Sequence, residues 1–144
     1  MKLKTKPIYY LASPYTHTDP AIRKQRAELA TEAAVRLLHM GIFVFAPIPY
    51  NEPWEKHNLP GDWAFWADFD KSFVERCDGG LIVLMLDGWD RSTGVTAEIE
   101  FAKSLNKPVY YTTMEQILRG DSSFIVPNTS NKTDSSLFCV YQKL

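Results

Sequence analysis

Cysteine is scarce in this chain. The 144 residues include two, Cys77 and Cys139, each in an apolar stretch and without CxxC or metal-finger spacing. That excludes a disulfide framework and a thiolate metal centre, and both read as reduced interior residues. Histidine is sparse too: His39 falls late in a helical stretch, while His17 and His57 fall in loops, with no ligand spacing among the three. The chain also lacks HExxH, GxGxxG and Walker motifs, which removes the usual signatures of a zincin, a dinucleotide fold and a P-loop enzyme. No metal and no cofactor is expected.

Neither sign of charge is in surplus, since 16 basic residues face 17 acidic ones for a net charge of −1. Without a basic field there is little to recruit a nucleic acid polymer or an anionic membrane surface. Long apolar runs are missing as well: the opening MKLKTKPIYYLAS carries lysines but no continuous apolar stretch fit for a signal peptide or a membrane span. A cytoplasmic protein with a small-molecule partner is predicted. The sequons at Asn128 and Asn131 are then chance matches in a polar loop.

What is present suffices for a single domain over residues 1–144, because 45% hydrophobic content builds a sizeable core in a chain of this length. PIYYLAS (7–13) reads as a strand. A helix is predicted from Ala21 to Met40, with Asp19 and Pro20 as cap and first turn and Gly41 as stop. IFVFAP (42–47) reads as the next strand, followed by a proline- and aromatic-rich loop, IPYNEPWEKHNLPGDW. A helix from about Asp62 to Cys77, a buried strand over 79–88, a helix from Ser92 or Thr93 and a strand in KPVYYTT complete the core, 7–112. Residues 120–136 are polar and read as loose, and LFCVY (137–141) reads as an edge strand or a docking segment.

Continuous apolar strands alternating with helices predict an α/β fold, a three-layer sandwich of the flavodoxin or Rossmann kind with a mostly parallel sheet of four or five strands. Ligands of such sheets bind beyond the carboxyl ends of the strands, where SPYTHT, PIPYNEPW and DGWDRSTG all lie.

Two acids stand in the wrong places. In DRSTGVTAEIEF the apolar stripe is Val95, Ile99, Ala102 and Leu105, and Glu98 lies within it, whereas Glu100 and Lys103 point outward. The preceding helix repeats the pattern, with Asp70 at the missing step of a stripe formed by Trp66, Phe73, Val74 and Cys77. One such acid is readily structural, capped or at the edge of the core. A pair flanking the same central strand also suits glycoside chemistry, with one carboxylate attacking the anomeric carbon and the other assisting the leaving group. Ser92, Thr93 and Gly94 at the helix entrance can hold a phosphate, although a capped helix start with a glycine is common. Ser13 and Tyr15 follow the first strand and offer hydroxyls, and Trp54, Trp63 and Trp66 can wall a pocket or simply fill core.

With these residues in view, roughly residues 7–112 resemble the nucleoside 2-deoxyribosyltransferase superfamily. STGVTAEIEFAKSLNKPV is similar to that family's nucleophile helix and following strand, with a glutamate four residues after the glycine and then KPV. DFDKSFVERCDGGLIVLML is similar to its preceding block, where an aspartate stands eight residues before the acid opening the central strand, here Asp70 and Asp78. The resemblance implies that Glu98 is the nucleophile and that Asp70 supports base departure and sugar positioning. It also implies that Ser92 and Gly94 meet the substrate, beside the Ser13, Tyr15, Trp63 and Trp66 that the loops and the third helical stretch offer, and a homodimer or larger homo-oligomer.

Position 92 points to the subgroup. Transferases acting on free nucleosides typically carry an aspartate there, while a serine resembles the Rcl-type hydrolases of 2′-deoxynucleoside 5′-monophosphates. A carboxylate at that point would repel a phosphate dianion. The loop ASPYT keeps Ser13 but lacks the arginine of the Rcl-type loop, leaving Arg91 or Arg23 to replace it; it also resembles phage-associated proteins beginning YLASPY. The function so implied is an N-glycosidase of nucleoside 5′-monophosphates. The alternatives are base exchange, a non-catalytic nucleotide binder and, last, a structural flavodoxin-like domain.

Overall fold

A computed structural model describes residues 5–125. The strands are β1 (Ile8–Ala12), β2 (Phe43–Phe45), β3 (Gly80–Leu84) and β4 (Val109–Thr112); the helices are α1 (Pro20–His39), α2 (Pro47–Asn51), α3 (Trp63–Arg76), α4 (Thr93–Ser104) and α5 (Met114–Leu118). All strand pairings are parallel, in the order β2-β1-β3-β4. Alternate residues of a strand face opposite sides of a sheet. Tyr10, Ala12, Leu81 and Val83 therefore pack with Val74, Cys77, Val95 and Ala102 of the α3/α4 layer. Leu11, Ile82 and Leu84 pack with Ala33, Leu37 and Ile117 of the α1/α5 layer. The fold is the predicted three-layer α/β sandwich.

The chain leaves β1 for β2 by way of α1, then crosses back over β1 by α3 to reach β3. Because such crossovers are right-handed, this reversal puts α3 and α4 together on the opposite face from α1. It also makes the carboxyl ends of β1 and β3 the switch point where a crevice opens. The start of β3 lies so close to β4 that a Cβ on Gly80, whose φ is +98°, would meet the Pro108 carbonyl at 2.4 Å. A residue without a side chain is needed there.

Several predicted boundaries are corrected. The segment after β2, expected to be irregular, forms α2 and a 3-10 helix, Glu52–His57. Pro47, Pro49 and Pro53 occupy first-turn positions, where a missing N–H costs nothing and the fixed φ suits a helix. Pro47 thereby also cuts the second strand short. The predicted strand 79–88 ends at Leu84, and a second 3-10 helix, Trp89–Arg91, precedes α4. Helix α5 was not expected; Thr113 and Gln116 close a capping box at its start. Of the tail expected to be loose, Phe124 and Ile125 pack on the α1/α5 side of the core. Cys139, both sequons and the proposed edge strand 137–141 lie outside the described residues. Among the described residues no helix is long and apolar enough to cross a membrane.

Candidate active site

Helix α4 begins because Ser92, extended at φ −76° and ψ 121°, accepts the Val95 N–H on its hydroxyl at 3.2 Å. The second turn then carries Glu98 inward between Val95 and Ala102, and only 4% of its surface is exposed. Leu105, assigned to the same stripe, is 37% exposed. It caps the helix just before Asn106 takes the left-handed φ of 56°, and so turns off the buried face.

On the neighbouring helix, Asp70 and Val74 are the buried residues of α3. The amino ends of the two helices meet at Gly94, where a Cβ would lie 3.3 Å from the Trp63 ring. Glycine permits that approach. Helical side chains lean toward the amino end, so the Glu98 side chain leans toward the turn that contains Gly94.

The third member of the site comes from the sheet. Tyr10, fully buried in β1, donates its hydroxyl to Glu98 Oε2. Sequence reading had taken this residue only as part of a strand. The available signal was its register: a tyrosine buried in a sheet covered on both faces needs a hydroxyl partner, and Glu98 lies on the same face. Asp70 lies close enough for its charge to act on both Tyr10 and Glu98. Its Oδ1 is buried without a hydrogen-bond partner. None of the ion pairs among the described residues includes Glu98 or Asp70.

Burial without a cation dictates the protonation of this trio. It pushes the Glu98 carboxyl up to about 8; the Tyr10 hydrogen bond opposes the shift and the charge of Asp70 adds to it. Asp70 is pushed up to about 7 by burial. The Tyr10 hydroxyl is held well above its ordinary range, by burial first and then by the two acids. Keeping a proton on one of the two carboxyls avoids the cost of two unpaired buried anions. Such a pair, one member ionised and one protonated, is equipped to attack with one carboxyl and protonate with the other.

The other expected site residues divide. Ser13 is buried directly after β1, and Ser92, Gly94 and Trp63 gather at the amino ends of α3 and α4 as anticipated. The Tyr15 hydroxyl is instead raised by burial first and then by the nearby Glu55 carboxylate. Trp66 donates its indole N–H to the Pro60 carbonyl at 2.7 Å and packs edge-on against Phe65 and Phe69, while Trp54 packs on Tyr50 and Phe69. These two tryptophans belong to an aromatic run along the outer side of α3. His17 accepts the Asp19 N–H on Nδ1 at 2.9 Å, and Asp78 accepts the Ile8 N–H at 2.8 Å, pinning the start of β1. Arg91 lies 3.9 Å from Asp87, and Arg23 lies 3.7 Å from Glu55.

A groove of about 410 Å³ runs between α1 and α2, bounded by Lys24, Glu28, Thr31, Glu32 and Glu52 among others. None of the candidate residues lines it. Among the described residues no group of three or more His, Cys, Asp or Glu is placed to hold a metal ion.

Residues 7–114 match the family model described as Domain of unknown function (DUF1937), and the chain belongs to that family. No curated protein matches it.

Proposed function

We propose that this member of the DUF1937 family is an N-glycosidase of nucleoside 5′-monophosphates that works through a covalent glycosyl-Glu98 intermediate. The observation that carries the reading is the pairing of Glu98 with Asp70 on one face of the sheet, both buried and neither neutralised by a cation. A structural acid in such a place is ordinarily paired. Here the Oδ1 of Asp70 is buried with no hydrogen-bond partner, an unused hydrogen-bonding position of the kind that a group handling a departing base requires.

Glu98 is the more basic carboxyl at rest, so the reactive form is the one in which its proton has moved to Asp70; in the first step the Glu98 carboxylate then bonds to the anomeric carbon as the bond from that carbon to the base nitrogen breaks. The electron pair leaves with the base, which takes the proton of Asp70. Tyr10 stabilises the Glu98 anion before attack and aims it. In the second step water gives a proton to Asp70 and its oxygen to the anomeric carbon, and Glu98 leaves as carboxylate. Ser92 and the free N–H groups at the start of α4 suit a phosphate, and an uncharged side chain there avoids repelling it.

One observation favours base exchange as a second reading. Glu98 is 4% exposed, and a site that excludes water protects a glycosyl ester until another base arrives. Incubation with a panel of nucleosides and their 5′-monophosphates, with and without a second free base, tests both. Release of free base supports hydrolysis and a new nucleotide supports exchange. If no base leaves any substrate, the reading fails.

A further inference from the structure

Arg26, in the second turn of α1, faces main chain rather than a carboxylate. Its Nη1 donates to the Thr16 carbonyl at 2.9 Å and reaches that of Tyr15 at 3.4 Å, while Nη2 donates to the Asp87 carbonyl at 3.0 Å. None of the ion pairs among the described residues includes it. Tyr15 and Thr16 belong to the loop after β1 and Asp87 to the loop after β3, so one guanidinium joins the two loops that leave the switch point. The turn at Gly88 is shaped around the same group. Gly88 has a φ of +87°, and a Cβ there would lie 2.8 Å from Arg26 Nη2. The loop after β3 therefore turns on a residue without a side chain where the guanidinium comes closest.

We propose that Arg26 is a positioning residue that fixes the separation of these two loops, and through their main chains the width of the crevice mouth. The inference rests on the reading of that crevice as the substrate site. The loop after β1 begins with the buried Ser13, and the loop after β3 runs through the second 3-10 helix to Ser92 at the start of α4. Arg26 touches neither. A guanidinium suits the task because its planar fork aims donors in different directions and holds its charge at any working pH, whereas a lysine ammonium is a single point of charge on a flexible stem. Bonds from an ionised donor are also the stronger kind. The walls so held meet the substrate before and during reaction alike. Loosening them therefore removes binding shared by ground and transition states, which raises KM and leaves kcat nearly unchanged.

Backbone nitrogen relaxation is measured by NMR on the ligand-free wild type, Arg26→Gln, Arg26→Lys, Gly88→Ala and the Arg26→Gln/Gly88→Ala double variant, with thermal melts confirming that each is folded. Amide order parameters over residues 13–18 and 85–91 are expected to fall from about 0.85 in wild type to about 0.6 in both Arg26 variants, in the two loops together and not in the strands. Steady-state kinetics then use whichever common 2′-deoxynucleoside 5′-monophosphate loses its base fastest. KM should rise about tenfold in each single variant, the scale of one lost charge-assisted hydrogen bond, with kcat within about twofold of wild type. The double variant should be no worse than Arg26→Gln, since both changes remove the same contact. A fall in one loop only, or in neither, overturns the inference. So does an Arg26→Lys protein that behaves as wild type, a kcat that drops while KM holds, or additive losses in the double variant. Relaxation is read without ligand, so the two readings fail separately. A fall in both loops with no base released from any monophosphate keeps the bridge and removes the glycosidase, and base release by wild type without that fall in the Arg26 variants does the reverse.

Discussion

At the scale of the residue, Glu98 ties stability to pH in a direction opposite to that of a salt-bridged acid. Its carboxyl titrates near 8 in the fold against an ordinary 4.5, so between those values the folded protein keeps a proton that the unfolded chain has released. Stability contributed by the neutral carboxyl is complete below about 4.5 and lost as pH rises through about 8. Asp70, raised from 3.8 to about 7, acts in the same sense. Each unit of displacement corresponds to about 1.4 kcal/mol. Glu98→Gln is therefore expected to melt close to wild type at acid pH and several degrees above it at alkaline pH, and parallel melting curves across that range would show the carboxyl to be ionised throughout.

Tyr10→Phe removes the one interaction that lowers the Glu98 carboxyl, so the rising limb of the pH-rate profile should move alkaline. The cost in stability should be about 1 kcal/mol. A profile that keeps its limb while the whole rate falls would make Tyr10 a packing residue. Glu98 and Asp70 were legible in the sequence because each interrupts an apolar stripe. Tyr10 was not, since a tyrosine in a strand breaks no pattern and its partner lies 88 positions away.

At the scale of the element, the fit of α3 against α4 depends on Gly94. A methyl group there would lie 3.3 Å from the Trp63 ring, tight enough to displace that ring. Gly94→Ala gains helix propensity of roughly 0.5–1 kcal/mol, so the fold should hold. What is expected to change is a severalfold rise in KM on the monophosphate substrate, measured by steady-state kinetics, and an unchanged KM would place Trp63 outside the site. The long helices were legible because their caps and stripes agree. The segment after β2 was not: three prolines in sixteen residues read as loop when counted, yet Pro49 and Pro53 sit in first turns, and only their positions reveal the helices.

At the scale of the whole molecule, the alternation of strands and helices was enough to foresee a parallel sheet covered on both faces. The order β2-β1-β3-β4 supplies what alternation leaves open, namely which strand ends form the crevice and that α3 and α4 share a face. Self-association, implied by the family resemblance, is proposed for the whole chain; light scattering at high concentration should give a dimer or larger, and a strict monomer would count against it. The chemistry itself rests on Glu98. Wild type and Glu98→Gln are to be mixed with the monophosphate that releases base fastest, quenched within a turnover and digested for peptide mass spectrometry. The expected result is a sugar-phosphate adduct on the Glu98 peptide of the wild type. The variant should show no adduct and a base-release rate lower by orders of magnitude, with nucleotide affinity retained. Base release by the variant at the wild-type rate, with no adduct in either protein, would contradict a nucleophilic Glu98.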